Sequence, residues 1–198
     1  MHAPGRFKKA FMEQLLLGLR AAGQASKSMG LRERRDAVRL SSDVAMALAS
    51  SSARGAPPPH GATASWARAL VARHAAERRN EALLRRIMGG AGYEMALAAA
   101  AAARGRKDAR SRRIVRRSRR VLSAGRKKRT ASGGGGGGAM AARRMVKARM
   151  KVLRTLVPGA DGLRGFSLLS ETLDYVACLK TQVELLQCLC KGSRSRLG

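Results

Sequence analysis

RRMVKARMKVLRTLVPG, Arg143 to Gly159, and LLSETLDYVACLKTQVELL, Leu168 to Leu186, decide the fold of this 198-residue chain. In the first stretch Val146, Met150, Leu153 and Val157 recur at intervals of four, three and four, with Leu156 beside them. Arg143, Lys147, Arg149, Lys151 and Arg154 surround that stripe. The spacing puts the apolar side chains on one face and predicts an amphipathic helix of about four turns. Pro158 ends it: proline has no N–H to continue the ladder, and the residue before it avoids helical angles. GADGLRGFS then reads as a loop. A second helix is expected from near Ser167 to about Lys191, capped by Gly192, with Leu169, Leu173, Val176, Leu179, Val183, Leu186 and Cys190 at near-heptad spacing. A pair of helices of about 50 residues cannot enclose both its own stripes, and each large apolar side chain gains roughly 1.5–3 kcal/mol on burial. The stripes therefore call for a partner.

Working back from this pair, TASGGGGGG (130–138) is a flexible tether whose nine residues span roughly 15–18 Å on average. Before it, residues 104–129 hold 14 basic side chains and one acid, Asp108. RRIVRRSRR, 112–120, could form a helix with Arg113, Arg116, Arg117 and Arg120 on one side. Together Arg112, Arg113, Arg116, Arg117, Arg119 and Arg120, then Arg126, Lys127, Lys128 and Arg129, resemble clusters read by nuclear import receptors. MALAAAAAAR, 95–104, favours helix but offers little surface to bury, so no fixed tertiary place is expected. Trp66 to Met88 reads as an Arg-rich helical stretch, and the serines at 50–52 with prolines 57–59 as breakers. FKKAFMEQLLLGLR, 7–20, spaces Phe7, Phe11, Leu15 and Leu19 four apart, a short amphipathic helix.

The net charge of +29, from 41 basic and 12 acidic residues, implies attraction to polyanions. With 22 glycines and 6 aromatics there is little for a large core, so one small folded module in a loosely ordered chain is expected. No apolar run is long enough to span a bilayer, and no secretory signal is evident. Residues 1–32, with six basic residues and one acid, share a composition with organelle transit peptides. Cys178, Cys188 and Cys190 lack metal-ligand spacing and suit a reducing compartment, and the three histidines lie in unrelated segments. Neither an enzyme nor a cofactor or metal site is expected.

The paired stretches resemble a helix-loop-helix dimerisation region, down to the L-V-P helix end and an E-x-x-x-Y set at Glu171 and Tyr175. With FKKAFMEQLLLGLR and SRRIVRRSRR, the chain resembles the plant atypical bHLH growth repressors linked to brassinosteroids, the group first described as binding a small lamina-inclination HLH protein. The expected fold is all-α: a helix-loop-helix module forming a parallel four-helix bundle as a dimer, behind an N-terminal two-thirds that is largely disordered or loosely helical. Expected divisions are an N-terminal region 1–56, a Pro-rich breaker 57–61, an Ala/Arg-rich helical region 62–104, a basic region 105–129, a linker 130–138, the helix-loop-helix 139–192 and a tail 193–198.

DNA-reading members of the wider bHLH class extend the first helix backward and carry His, Glu and Arg at four-residue spacing in the major groove. Counted back from Pro158, those places are Gly135, Ala139 and Arg143, so only the arginine is kept. A lost base contact costs roughly 1–3 kcal/mol of discrimination, and helix through six glycines about 5–6 kcal/mol. Arg143, Arg144 and Lys147 could still touch phosphates, weakly and without sequence choice. The resemblance thus implies a nuclear regulator that heterodimerises with bHLH activators and inhibits them, a homodimer remaining open, and no membrane or small-molecule partner is expected. Two alternatives remain: a sequence-specific bHLH factor using the displaced SRRIVRRSRR helix, and an arginine-rich RNA-binding protein, which leaves the paired stripes unexplained.

Overall fold

The computed structural model describes residues 4–25, 29–53, 64–123 and 137–194. Among the described residues six helices follow in order: α1 Pro4–Ala25, α2 Leu31–Ala53, α3 Ser65–Ala75, α4 Glu81–Ser123, α5 Gly137–Leu156 and α6 Gly165–Arg194. Short 3₁₀ turns at Arg78–Asn80 and Ala160–Gly162 precede α4 and α6. No strand occurs among the described residues. The expected all-α class is borne out. No helix among the described residues is long and apolar enough to cross a membrane.

The N-terminal helices are not loose. Phe7, Phe11 and Leu15 of α1 are buried, the two phenylalanine rings stacking 6.1 Å apart. They share one core with Leu40, Val44 and Met46 of α2, Trp66 and Leu70 of α3, and Leu84 and Ile87 of α4. Few aromatics suffice because small residues let the helices approach closely. At Gly18 a Cβ would stand 2.8 Å from the Ser41 Cβ, so only glycine fits where α1 meets α2. The alanine run acquires a tertiary place by the same means: Ala96 and Ala100 are buried, and α4 packs on α1 and α3.

The region of α2 carries no conspicuous stripe of large apolar residues, and the serines expected to break structure are helical. Their hydroxyls turn back onto the helix, Ser50 and Ser51 donating to the Ala47 carbonyl at 3.2 and 3.3 Å and Ser52 to Leu48 at 3.3 Å. The start of α2 is fixed by the Glu33 carboxylate, which accepts from the Gly30 N–H at 3.0 Å, the acidic half of a capping box. The expected helix over 66–88 is in fact two helices, parted by a turn at Ala76 and Glu77. Within α4 the helix is interrupted at Gly89 (φ 75°, ψ 167°). Arg85 spans this break, pairing with Glu81 and Glu94 and lying 4.6 Å from the centre of the Tyr93 ring.

The last two helices fall where the two stripes put them. Residues α5 Gly137–Leu156 end as Pro158 requires, with Gly159 in the left-handed region (φ 71°). The helix takes in Gly137 and Gly138, two glycines of the expected tether. Helix α6 begins two residues before Ser167 and runs through Gly192, which caps nothing.

Candidate protein-interaction surface

α6 is apolar on two nearly opposite faces. Leu168, Cys178 and Gln182 are buried, and Glu171, Tyr175, Leu179, Leu185 and Leu186 partly so. This face lies on α1, α2 and α3. Leu169, Leu173, Val176 and Val183 point away and remain exposed. In a helix, positions 169, 173, 176 and 183 share one side, while 168, 171, 175, 178 and 182 share another, as a repeat of 3.6 demands.

The inner face is held by polar chemistry as well as packing. Helix α3 starts at Ser65 after Ala64, which has no side chain able to satisfy the first free N–H groups. That role falls to Glu171 of α6, whose carboxylate accepts from the Trp66 backbone N–H at 2.8 Å. A negative group there also complements the helix dipole. One turn further along α6, Asp174 accepts from the Trp66 indole N–H at 2.8 Å. Tyr175 then packs on the same indole with ring centroids 5.0 Å apart. Burial raises the Tyr175 phenol above its ordinary range, and the Asp43 carboxylate adds to this while Arg73 opposes it. Further along, the Gln182 amide donates to the buried Ser42 hydroxyl of α2. Asp43, next to that serine, meets His74 of α3 at 3.0 Å.

The hinge between α5 and α6 is seated on α3. The Gly159 carbonyl accepts from the Ser65 hydroxyl at 3.3 Å, and a Cβ at Gly159 would lie 2.7 Å from the Ala69 Cβ. Val157 and Ala160 join the core, and the Arg154 guanidinium donates to the Leu163 carbonyl at 2.9 Å across the loop. Beyond this anchor α5 stands largely clear. Met150 and Leu153 are partly buried, whereas Val146 and Leu156 are exposed.

The structure thus divides the residues expected to form a dimer seam. Val146, Leu156, Leu169, Leu173, Val176 and Val183 stay open, Met150, Leu153, Leu179 and Leu186 border the core, and Val157 is inside it. Arg143, Arg144 and Lys147 are exposed along α5. Arg112 is exposed on α4, and Arg113, Arg116, Arg117, Arg119 and Arg120 fall on the same helix. Arg126, Lys127, Lys128 and Arg129 lie outside the described residues, as does Gly135, while Ala139 belongs to the first turn of α5.

Sequence reasoning missed the inner face. In the sequence Glu171 and Tyr175 stand out only as marks of resemblance, and Trp66 only as the start of a helical stretch. The available signal was the second set of positions, Leu168, Tyr175, Cys178, Gln182 and Leu185, spaced by three, four and seven on the same helix.

An all-α chain ending in two helices joined by a short, anchored loop, with apolar faces left open on both, is of the helix-loop-helix type. Residues 4–78, which hold α1 to α3, match the family described as IBH1-like, N-terminal domain. Over 198 residues, 100% of this chain and 99% of the relative, the sequence is 31% identical to "Transcription factor IBH1-like 1" of Arabidopsis thaliana. The chain belongs to the IBH1-like family of transcription regulators. No solved structure matches it.

Proposed function

We propose that this protein is a nuclear regulator that captures bHLH activators through the open faces of α5 and α6 and inhibits them, restraining cell elongation under brassinosteroid control. The observation that carries the reading is the row Leu169, Leu173, Val176 and Val183, exposed on a helix whose opposite face is already occupied. Contiguous apolar surface of this kind marks a site of association. Positions 169, 173, 176 and 183 also carry the heptad pattern by which a second helix pair completes a four-helix bundle. Inhibition follows from what α5 lacks: Ala139 stands where a base-reading glutamate would be, so a mixed dimer keeps only one reading arm. The hormone link and the identity of the activators rest on the family resemblance. Nuclear import is assigned to the basic stretch 112–129, and its deletion should move a large fusion toward the cytoplasm.

The experiment is co-precipitation of bHLH activators by the full chain and by Val176→Asp. Val176 is exposed in the isolated chain, so the substitution leaves the fold intact but buries an unpaired carboxylate in any bundle. Capture should be lost; undiminished capture would place the interface elsewhere.

A further inference from the structure

We propose that the second half of α4 is a sequence-independent binding site for the phosphate backbones of duplex DNA, separate from the open faces of α5 and α6.

The first half of α4 is held in the core by Leu84, Ile87, Tyr93, Ala96 and Ala100. Beyond it the helix runs on from Arg104 to Ser123, and Arg104, Arg106 and Arg112 are exposed along it. Those 20 residues hold nine arginines, one lysine and a single acid, Asp108. At about 1.5 Å per residue they extend for about 30 Å, so one net positive charge falls every ~3.3 Å. Duplex DNA carries one phosphate charge per roughly 1.7 Å of its axis, a density of the same order.

The charge is also patterned. Arg106, Arg110, Arg113, Arg117 and Arg120 recur at intervals of four, three, four and three, which a helix brings to one side. Arg112, Arg116 and Arg119 widen that side to about half of the circumference. The opposite side carries Lys107 and then Ser111, Ile114, Ser118 and Val121. A nuclear import cluster is set by basic composition over a short run and places no demand on helical register. A one-sided array on a helix anchored at its other end points instead to a ligand with a groove of its own.

The chemistry selects duplex DNA. Guanidinium forks pair with phosphate oxygens through two parallel hydrogen bonds. The major groove of B-form DNA, roughly 12 Å wide, admits a helix, whereas that of double-stranded RNA is deep and narrow. No aromatic residue lies between Arg104 and Ser123, so the stacking platforms that hold single strands are missing. Ile114 and Val121 give the opposite side too little apolar area to enter a lipid interface. Phosphate contacts position a chain on DNA without reading its bases.

The test is fluorescence anisotropy of the full chain with a labelled mixed-sequence DNA duplex across a salt series. Five phosphate contacts contribute a slope of about −4.5 in log affinity against log salt, or roughly five hundredfold between about 50 and 200 mM. The α4 variant combines Arg106→Gln, Arg110→Gln, Arg113→Gln, Arg117→Gln and Arg120→Gln, which keep helix propensity. It should lose about that much slope and bind at least about tenfold more weakly at low salt. The matched control combines Arg143→Gln, Arg144→Gln, Lys147→Gln, Arg149→Gln and Lys151→Gln, removing the same charge from α5, and should keep most of the slope. Val115→Pro interrupts the helix at constant charge and should weaken binding at least about threefold. Trp66 emission should be unchanged in all three variants, which separates lost binding from lost folding. An α5 variant as weak as the α4 variant, or unchanged binding by Val115→Pro, would overturn the proposal. So would tighter binding of single-stranded DNA, duplex RNA or polyglutamate than of duplex DNA.

Discussion

Leu168 is fully buried and Leu173 is 65% exposed, although they lie five residues apart on one helix. Replacing each with aspartate should therefore have opposite consequences. Leu168→Asp removes a core side chain and leaves a carboxylate without a partner among apolar atoms, a change that costs about 3–5 kcal/mol. That is a large share of the roughly 5–15 kcal/mol by which a domain is stable. Leu173→Asp meets water in the isolated chain and should alter stability by no more than about 0.5 kcal/mol. In a complex the same aspartate becomes the buried unpaired charge, and about 3–5 kcal/mol corresponds to a loss of affinity beyond a hundredfold. Urea unfolding followed through Trp66, the single tryptophan, measures the first effect at concentrations where the chain is alone, and titration with an HLH partner measures the second. Equal destabilisation of the isolated chain by both substitutions would refute the division of α6 into a structural and a binding face.

Three further changes probe the inner face. Glu171→Ala removes the cap that α6 lends to α3 and should lower stability by about 0.5–2 kcal/mol in the same urea assay, despite lying 105 residues from Trp66. Gly159→Ala combines a left-handed backbone with a close approach to Ala69 and the Ser65 carbonyl, so about 1–3 kcal/mol should be lost, while Gly162→Ala, with open space around it, should be near neutral. The Tyr175 phenol is raised by burial, so the unfolded chain ionises first: its contribution is complete below about pH 10 and is lost as pH rises through the folded value. That alkaline loss should shrink in Tyr175→Phe when unfolding is followed across this range.

The helix pair was legible because its signals are local. A stripe at 146, 150, 153 and 157, a proline one residue on and a glycine after it fix a helix and its end from consecutive residues alone. The N-terminal bundle was legible only at α1, where Phe7, Phe11 and Leu15 form a stripe, because many of its other contacts are made by small residues whose value depends on what they meet. Ala96 and Ala100 look featureless until α1 and α3 lie against α4, and Gly18 matters only because Ser41 is opposite. Ser50, Ser51 and Ser52 read as a break, yet each hydroxyl finds a carbonyl within its own helix. The binding face was half legible. Leu173, Val176 and Val183 were identified by spacing, but nothing in that spacing tells that Val157, Leu179 and Leu186 turn toward the core, since that choice is made by α1, α2 and α3.

The central claim is that α6 holds the N-terminal bundle and an HLH partner at once, on opposite faces. Because Trp66 is the only tryptophan and sits under α6 against Glu171, Asp174 and Tyr175, its fluorescence reports the inner contact directly. The decisive measurement is emission and acrylamide quenching of Trp66 during titration with a tryptophan-free HLH partner. The account predicts that the emission stays blue-shifted and shielded through saturation. A red shift with new access to quencher would contradict it, because the partner would then be displacing the bundle from α6 instead of joining it.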